Sequence, residues 1–286
     1  MAQSDVHFVY WRSLCISARM DVYNFNPDQV ISLLLTLMRI SIVLFMMPVF
    51  STNSIPMQVK ASICLLLTLA LWPHMALSSS GLSSHVLGIM LMILGELLLG
   101  LVMGMAVQFL FMGIQSGGEL LGFQIGFTMV NVVDPLSGMQ NSATAYFLWM
   151  VSILTFLAFD GHLLMLKALA DSFYLVPAGG LLLGDVLLRQ VFDLSAQLFV
   201  LAIKIAAPVM IALFLTEVAL GLMNRAAPQM QVMMVGFPLK IAIGFFFLGL
   251  LLIVLSNQIE QFVIGMNPMF LNLLKAGSPL YQGVLP

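Results

Sequence analysis

The stretch VLGIMLMILGELLLGLVMGMAVQFLFM, residues 86–112, has Glu96 as its one charge and Gln108 as its one other polar side chain. A helix crosses the roughly 30 Å hydrocarbon core of a bilayer with about 20 apolar residues. Residues 86–112 are therefore long enough to span, and 30–50 and 239–256 repeat the pattern. Composition agrees: 61% of the 286 residues are hydrophobic and 8% are charged, whereas soluble domains carry roughly 25% charged residues. A water-facing surface cannot be built from so few, so the chain reads as an all-α integral membrane protein.

Outward from that stretch, apolar runs and breakers predict helices over 30–50, 59–77, 86–112, 142–159, 161–176, 186–223 and 232–274, or about six long hydrophobic helices with fragments. Pro208, Pro228, Pro238 and Pro268 mark kinks or ends. Between the third and fourth runs, Gly113, Gly117, Gly118, Gly122 and Gly126 recur until Asp134-Pro135 stops the segment. This piece reads as a Gly-rich break rather than as a span. Small-xxx-small pairs at Gly100/Gly104, Gly113/Gly117, Gly118/Gly122 and Gly122/Gly126 allow close helix approach in lipid.

Several function classes drop out. Net charge is −2 with Lys and Arg scattered, so no basic patch proposes nucleic acid. His7, His74, His85 and His162 stand apart, with no HxxxH or HExxH spacing, and no metal is expected. No nucleophile elbow, phosphate loop or dinucleotide fingerprint is present, so no cofactor and no enzymatic reaction are expected. Cys15 and Cys64 form no CxxC. Residues 1–29 carry Arg12, Arg19, Asp5, Asp21 and Asp28 without an apolar core, unlike a cleavable signal.

Ionisable side chains within apolar helices cost about 2.5 to 3.5 kcal/mol or more at the bilayer centre. Arg39, Glu96, Lys204 and Glu217 are the cases here. They are either stations of a proton or ion pathway or salt bridges that lock helices together, and the second is the commoner use. Phe123 and Phe127 lie four residues apart in the Gly-rich piece, near Phe109, Phe111, Met112 and Met129. Such soft, bulky groups could plug a pore, although a Met and Phe stripe is more often plain helix packing.

A series of local motifs gives these features a context. Pro48-Val49-Phe50, Ile55-Pro56, Lys60, Gly95-Glu96, Gly117-Gly118-Glu119, Gly122-Phe123-Gln124-Ile125-Gly126-Phe127 and Val133-Asp134-Pro135 come first. Phe159-Asp160-Gly161-His162, Ser172-Phe173, Ala207-Pro208, Glu217-Val218-Ala219-Leu220-Gly221, Arg225, Pro228-Gln229 and Gly236-Phe237-Pro238-Leu239-Lys240 follow in order. Together they resemble the FliR family of flagellar biosynthetic proteins over about residues 28–275.

The resemblance implies a gate subunit of the flagellar type III export apparatus, built with FliP-like and FliQ-like proteins, beside FlhB-like and FlhA-like components. Unfolded flagellar subunits would pass through its pore, in the bacterial inner membrane at the flagellar basal body, and apolar surface would face partner subunits as well as lipid. It implies a polar leader over 1–27, of which 1–19 lie outside the family pattern, with Met20 reading as the start. A FliP-like part over 28–185 would follow, then a FliQ-like hairpin over 186–275 and a tail over 276–286.

Within that frame, 113–135 is a pore loop: Gly113, Gly117, Gly118 and Gly122 permit motion, and Phe109, Phe111, Met112, Phe123, Phe127 and Met129 close the pore. Arg39, Lys60, Glu96, Glu119, Asp134, Lys204, Glu217, Arg225 and Lys240 are assembly contacts. Alternatives are the gate of a virulence secretion system and a proton-coupled transporter or ion channel. Against the transporter stands the absence of an inverted internal repeat.

Overall fold

The structure, a computed structural model, describes residues 27–51, 55–72, 86–126, 142–177, 179–226 and 232–279. Among them all regular structure is helical: α1 (Pro27–Met46), the single turn α2 (Pro48–Ser51), α3 (Met57–Leu71), α4 (Val86–Ile125), α5 (Ala143–Ala158), α6 (Gly161–Leu175), α7 (Asp185–Ala226) and α8 (Val232–Gly277). The expected all-α membrane class holds. Helices α1, α4, α7 and α8 are long and apolar enough to cross a membrane, and α5 with α6, bent by 67°, makes a fifth if read as one broken span. The six expected long helices thus resolve, among the described residues, into four and this bent pair, with α3 shorter.

Breaks fall where backbone chemistry requires them. Met47 leaves the helix because the ring of Pro48 crowds an α conformation in the residue before it. Pro48 then opens α2, where its missing N–H is no loss. Asp160 ends α5 in the left-handed region, φ 58°, a conformation that short polar side chains tolerate. Gly161 restarts the helix against the Phe156 ring, where any Cβ would collide. Pro208, Pro238 and Pro268 sit inside continuous helices, whereas Pro228 lies outside the described residues.

The Gly-rich segment departs from the expected loop. Helix α4 runs unbroken through it to Ile125 and stops at Gly126, φ 99°, whose N–H reaches the carbonyls of Gly122 and Phe123. The reason is packing. Gly100 and Gly104 face Ile42 and Met46 of α1; Gly113 and Gly117 face the Leu198 and Ala202 carbonyls of α7; Gly118 and Gly122 face Ala145 of α5 and Ser142 just before it. Each pair is spaced four residues apart, so each is one flat strip on the helix surface where a neighbouring backbone can lie close. Intrinsic propensity, which penalises glycine in a helix by roughly 1 kcal/mol, is overridden by those contacts.

Helix α4 is therefore the axis of the fold, with α1, α5, α7 and the edge of α8 against it. Its buried Met103, Val107, Phe111 and Ile114 meet Ile40 and Val43 of α1, Phe156 of α5 and Ile205 of α7 in one core. On α8 a stripe of Leu251, Leu255, Ile259, Met266 and Phe270 continues it. Because lipid tails are as apolar as leucine, this core is held by close packing more than by exclusion of water.

Helices α4, α7 and α8 have 40, 42 and 46 residues. That makes them about 60 to 70 Å long, twice the roughly 30 Å of bilayer hydrocarbon. Their outer faces nevertheless stay apolar: Phe199, Ile203, Phe246 and Ile253 are each more than 60% exposed.

Candidate functional site

Two of the four charges at membrane depth are brought together at the centre of the N-terminal half. Arg39 of α1 and Glu96 of α4 are both fully buried and form a two-point fork, Nε to Oε2 at 2.5 Å and Nη2 to Oε1 at 2.8 Å. Parallel N–H to oxygen bonds of this kind are the strongest ion-pair geometry available to arginine.

Further bonds bring four of the five guanidinium N–H groups into use. Arg39 Nη1 donates to Ser172 Oγ at 3.3 Å and to the Val176 carbonyl at 3.1 Å, and the Gly179 N–H donates to Glu96 Oε1 at 3.0 Å. The guanidinium carbon lies 4.3 Å from the centre of the Phe173 ring. One buried pair thus ties α1, α4, the end of α6 and the turn that leads into α7. Bonded on both sides in this way and buried, it has the form of a clamp.

The partners Ser172, Phe173, Val176 and Gly179 were not among the candidate site residues. Their signal was the pair Ser172-Phe173 and a glycine, Gly179, whose φ of 71° lets the turn present its N–H to Glu96.

The other expected contacts divide. Glu217 of α7 and Lys240 of α8 form a half-buried pair at 2.5 Å. Lys60 is buried on α3. Glu119 is exposed and, among the described residues, accepts a long 3.5 Å bond from Gln115 Nε2. Arg225 is exposed at the end of α7, and Lys204 opens into a groove between α4, α7 and α8. Asp134 lies outside the described residues.

The expected plug residues divide as well. Gly113, Gly117, Gly118 and Gly122 are buried in helix contacts, and Phe111 is buried edge-on against Phe156 with ring centres 5.4 Å apart. Within this chain those five serve packing, and as part of α4 they are not a loop. Phe109 is half-buried beside the groove. Met112 and Phe123 point outward, Phe123 being 73% exposed. Phe127 and Met129 lie outside the described residues. Among the described residues no three His, Cys, Asp or Glu side chains gather as a metal site would require.

Comparison with known proteins adds the context the geometry lacks. A family model described as bacterial export proteins, family 1, matches residues 30–266. Flagellar biosynthetic protein FliR of Pectobacterium carotovorum subsp. carotovorum is 36% identical over 209 residues, 72% of this chain and 78% of that protein. The protein of the same name from Escherichia coli (strain K12) is 29% identical over 73% of this chain and 79% of its own length. That of Aquifex aeolicus (strain VF5) is 29% identical over 83% and 93%.

Proposed function

Because this chain belongs to the FliR family within bacterial export proteins, family 1, we propose that it builds, with FliP-like and FliQ-like proteins, the channel through which unfolded flagellar subunits leave the cell. It is a membrane component of the flagellar export apparatus and a structural protein, not an enzyme. In the proposed channel it sits in the bacterial inner membrane, with FlhB-like and FlhA-like proteins beside it. Residues 28–185 act as a FliP-like part and 186–275 as a FliQ-like hairpin.

The observation that carries the reading is the surplus of apolar surface. Helices of about 60 to 70 Å cannot be covered by a bilayer of about 30 Å: exposed Phe192 and Leu222 of α7, and exposed Met234 and Ile264 of α8, lie about 45 Å apart along their helices, so part of that apolar surface needs protein neighbours. Met112 and Phe123 are outward bulky groups of the Gly-rich end of α4, and among the described residues we assign the sealing of a central pore to them. The assembly contacts fall to Lys60, Glu119, Lys204 and Arg225, while Arg39, Glu96, Glu217 and Lys240 hold this chain's own helices.

Mild detergent extraction at native expression tests this. The chain comes out in a stable complex with FliP-like and FliQ-like proteins; recovery of the chain alone, by mass and by peptide identification, sinks the reading.

A further inference from the structure

Lys204 has no ion-pair or hydrogen-bond partner among the described residues. Exposed Lys204 lines the groove between α4, α7 and α8, a cavity of about 270 Å³. Gln197, Gln258 and Gln261 line the same groove, with Phe109 and Phe262 as apolar walls. Gln197 and Lys204 are seven residues apart, so they share one face of α7, and Gln258 and Gln261, three apart, share one face of α8.

The groove therefore offers one positive charge and up to three amide N–H₂ groups inside an apolar wall. An ionised carboxylate has two oxygens and about four acceptor positions, which matches that donor set. Lys204 is the one charge in residues 198–215, which places it roughly 10 Å inside the apolar stretch of α7. Lipid phosphates lie at the edge of hydrocarbon, whereas an acidic side chain on an apolar helix can be delivered to that depth. The rim next to Lys204, with Phe199, Val200 and Ile203 each at least half exposed, is the surface such a helix would pack on.

We infer that this groove receives an aspartate or glutamate side chain from an apolar helix of a neighbouring protein in the assembly, with Lys204 as its counter-charge. The inference rests on the proposed multi-protein channel and names the chemistry of one of its contacts.

A membrane-permeant carbodiimide joins a lysine amine to a carboxylate only where the two touch. Applied to membranes holding the full chain and its partners, it links Lys204 to an acidic residue in an apolar segment of another protein, and the conjugate is lost in Lys204→Met. The Glu217–Lys240 link within the chain is the internal control. Partners present with Lys204 unlinked while that control forms, or Lys204 linked to an acid of this chain itself, overturns the inference and leaves the channel intact. A phospholipid retained by the wild-type chain and lost from Lys204→Met, without a protein conjugate, likewise overturns it in favour of a lipid. A chain purified alone instead sinks the channel reading itself.

Discussion

Arg39 and Glu96, 57 residues apart in sequence, meet through two parallel hydrogen bonds at a point that neither lipid nor water reaches. Each charge is made tolerable by the other, and the pair is also the meeting point of three helices and a turn.

Removing one partner leaves the other charge buried alone. Glu96→Ala is expected to destabilise the chain by about 3 to 5 kcal/mol, the range for breaking a buried pair from one side. Arg39→Lys keeps the charge but loses the fork and the flat contact with Phe173, so a clear loss of stability remains. Unfolding midpoints in mixed detergent micelles measure both, and an unshifted midpoint in Glu96→Ala would remove the clamp.

The Glu217–Lys240 pair is half-exposed and makes no further bonds among the described residues. Glu217→Gln is expected to change stability by no more than about 1 kcal/mol. The same unfolding assay ranks it far below Glu96→Ala; equal effects would show that position in the helix bundle matters more than burial of the pair.

Glycines of α4 and α8 separate by what lies across from them. A Cβ at Gly118 would sit 2.6 Å from the Ala145 Cα, a backbone atom that cannot swing aside, whereas at Gly249 nothing lies within 4 Å. Gly118→Ala is expected to lower the yield of folded protein, and Gly249→Ala to leave the lone chain unchanged or gain up to about 1 kcal/mol in helix propensity. If Gly249→Ala is harmless in the lone chain but blocks recovery of the complex, that face of α8 is a subunit contact.

Phe123→Asp places a charge on an outward side chain and leaves the packing of α4 intact. Its expected outcome is a leaky membrane, read as ion conductance in cells expressing the apparatus, because hydration breaks an apolar seal. Phe111→Asp and Gly117→Asp are expected to give loss of folded protein instead, since both positions are buried against α5 or α7. A tight membrane with normally assembled Phe123→Asp protein would take that residue out of the pore.

The helical class and most helix limits were legible because membrane crossing demands long apolar runs and proline and glycine punctuate them. Residues 161–176 and 142–159 were placed within one residue of α6 and α5. Arg39 and Glu96 were legible as costly charges, but their pairing depends on which face each helix turns inward, and a 57-residue separation carries no sign of that. The continuation of α4 past Met112 was hidden for a different reason. Glycine reads as a breaker when its own propensity is considered, and only the positions of Leu198, Ala202, Ala145 and Ser142 across from it reveal a contact surface. Lys204 stands out in the sequence as a lone charge in an apolar run, whereas the neutral amides Gln197, Gln258 and Gln261 leave little mark on hydropathy.

Helix α4 carries both Glu96 and Phe123 on one continuous element, so the buried clamp and the outward aromatic belong to the same rod. The two residues are about 40 Å apart along the axis, and between them Gly113, Gly117, Gly118 and Gly122 seat the rod against α7 and α5. A change in the setting of the clamp therefore reaches Phe123 only by carrying α5 and α7 along, as one block.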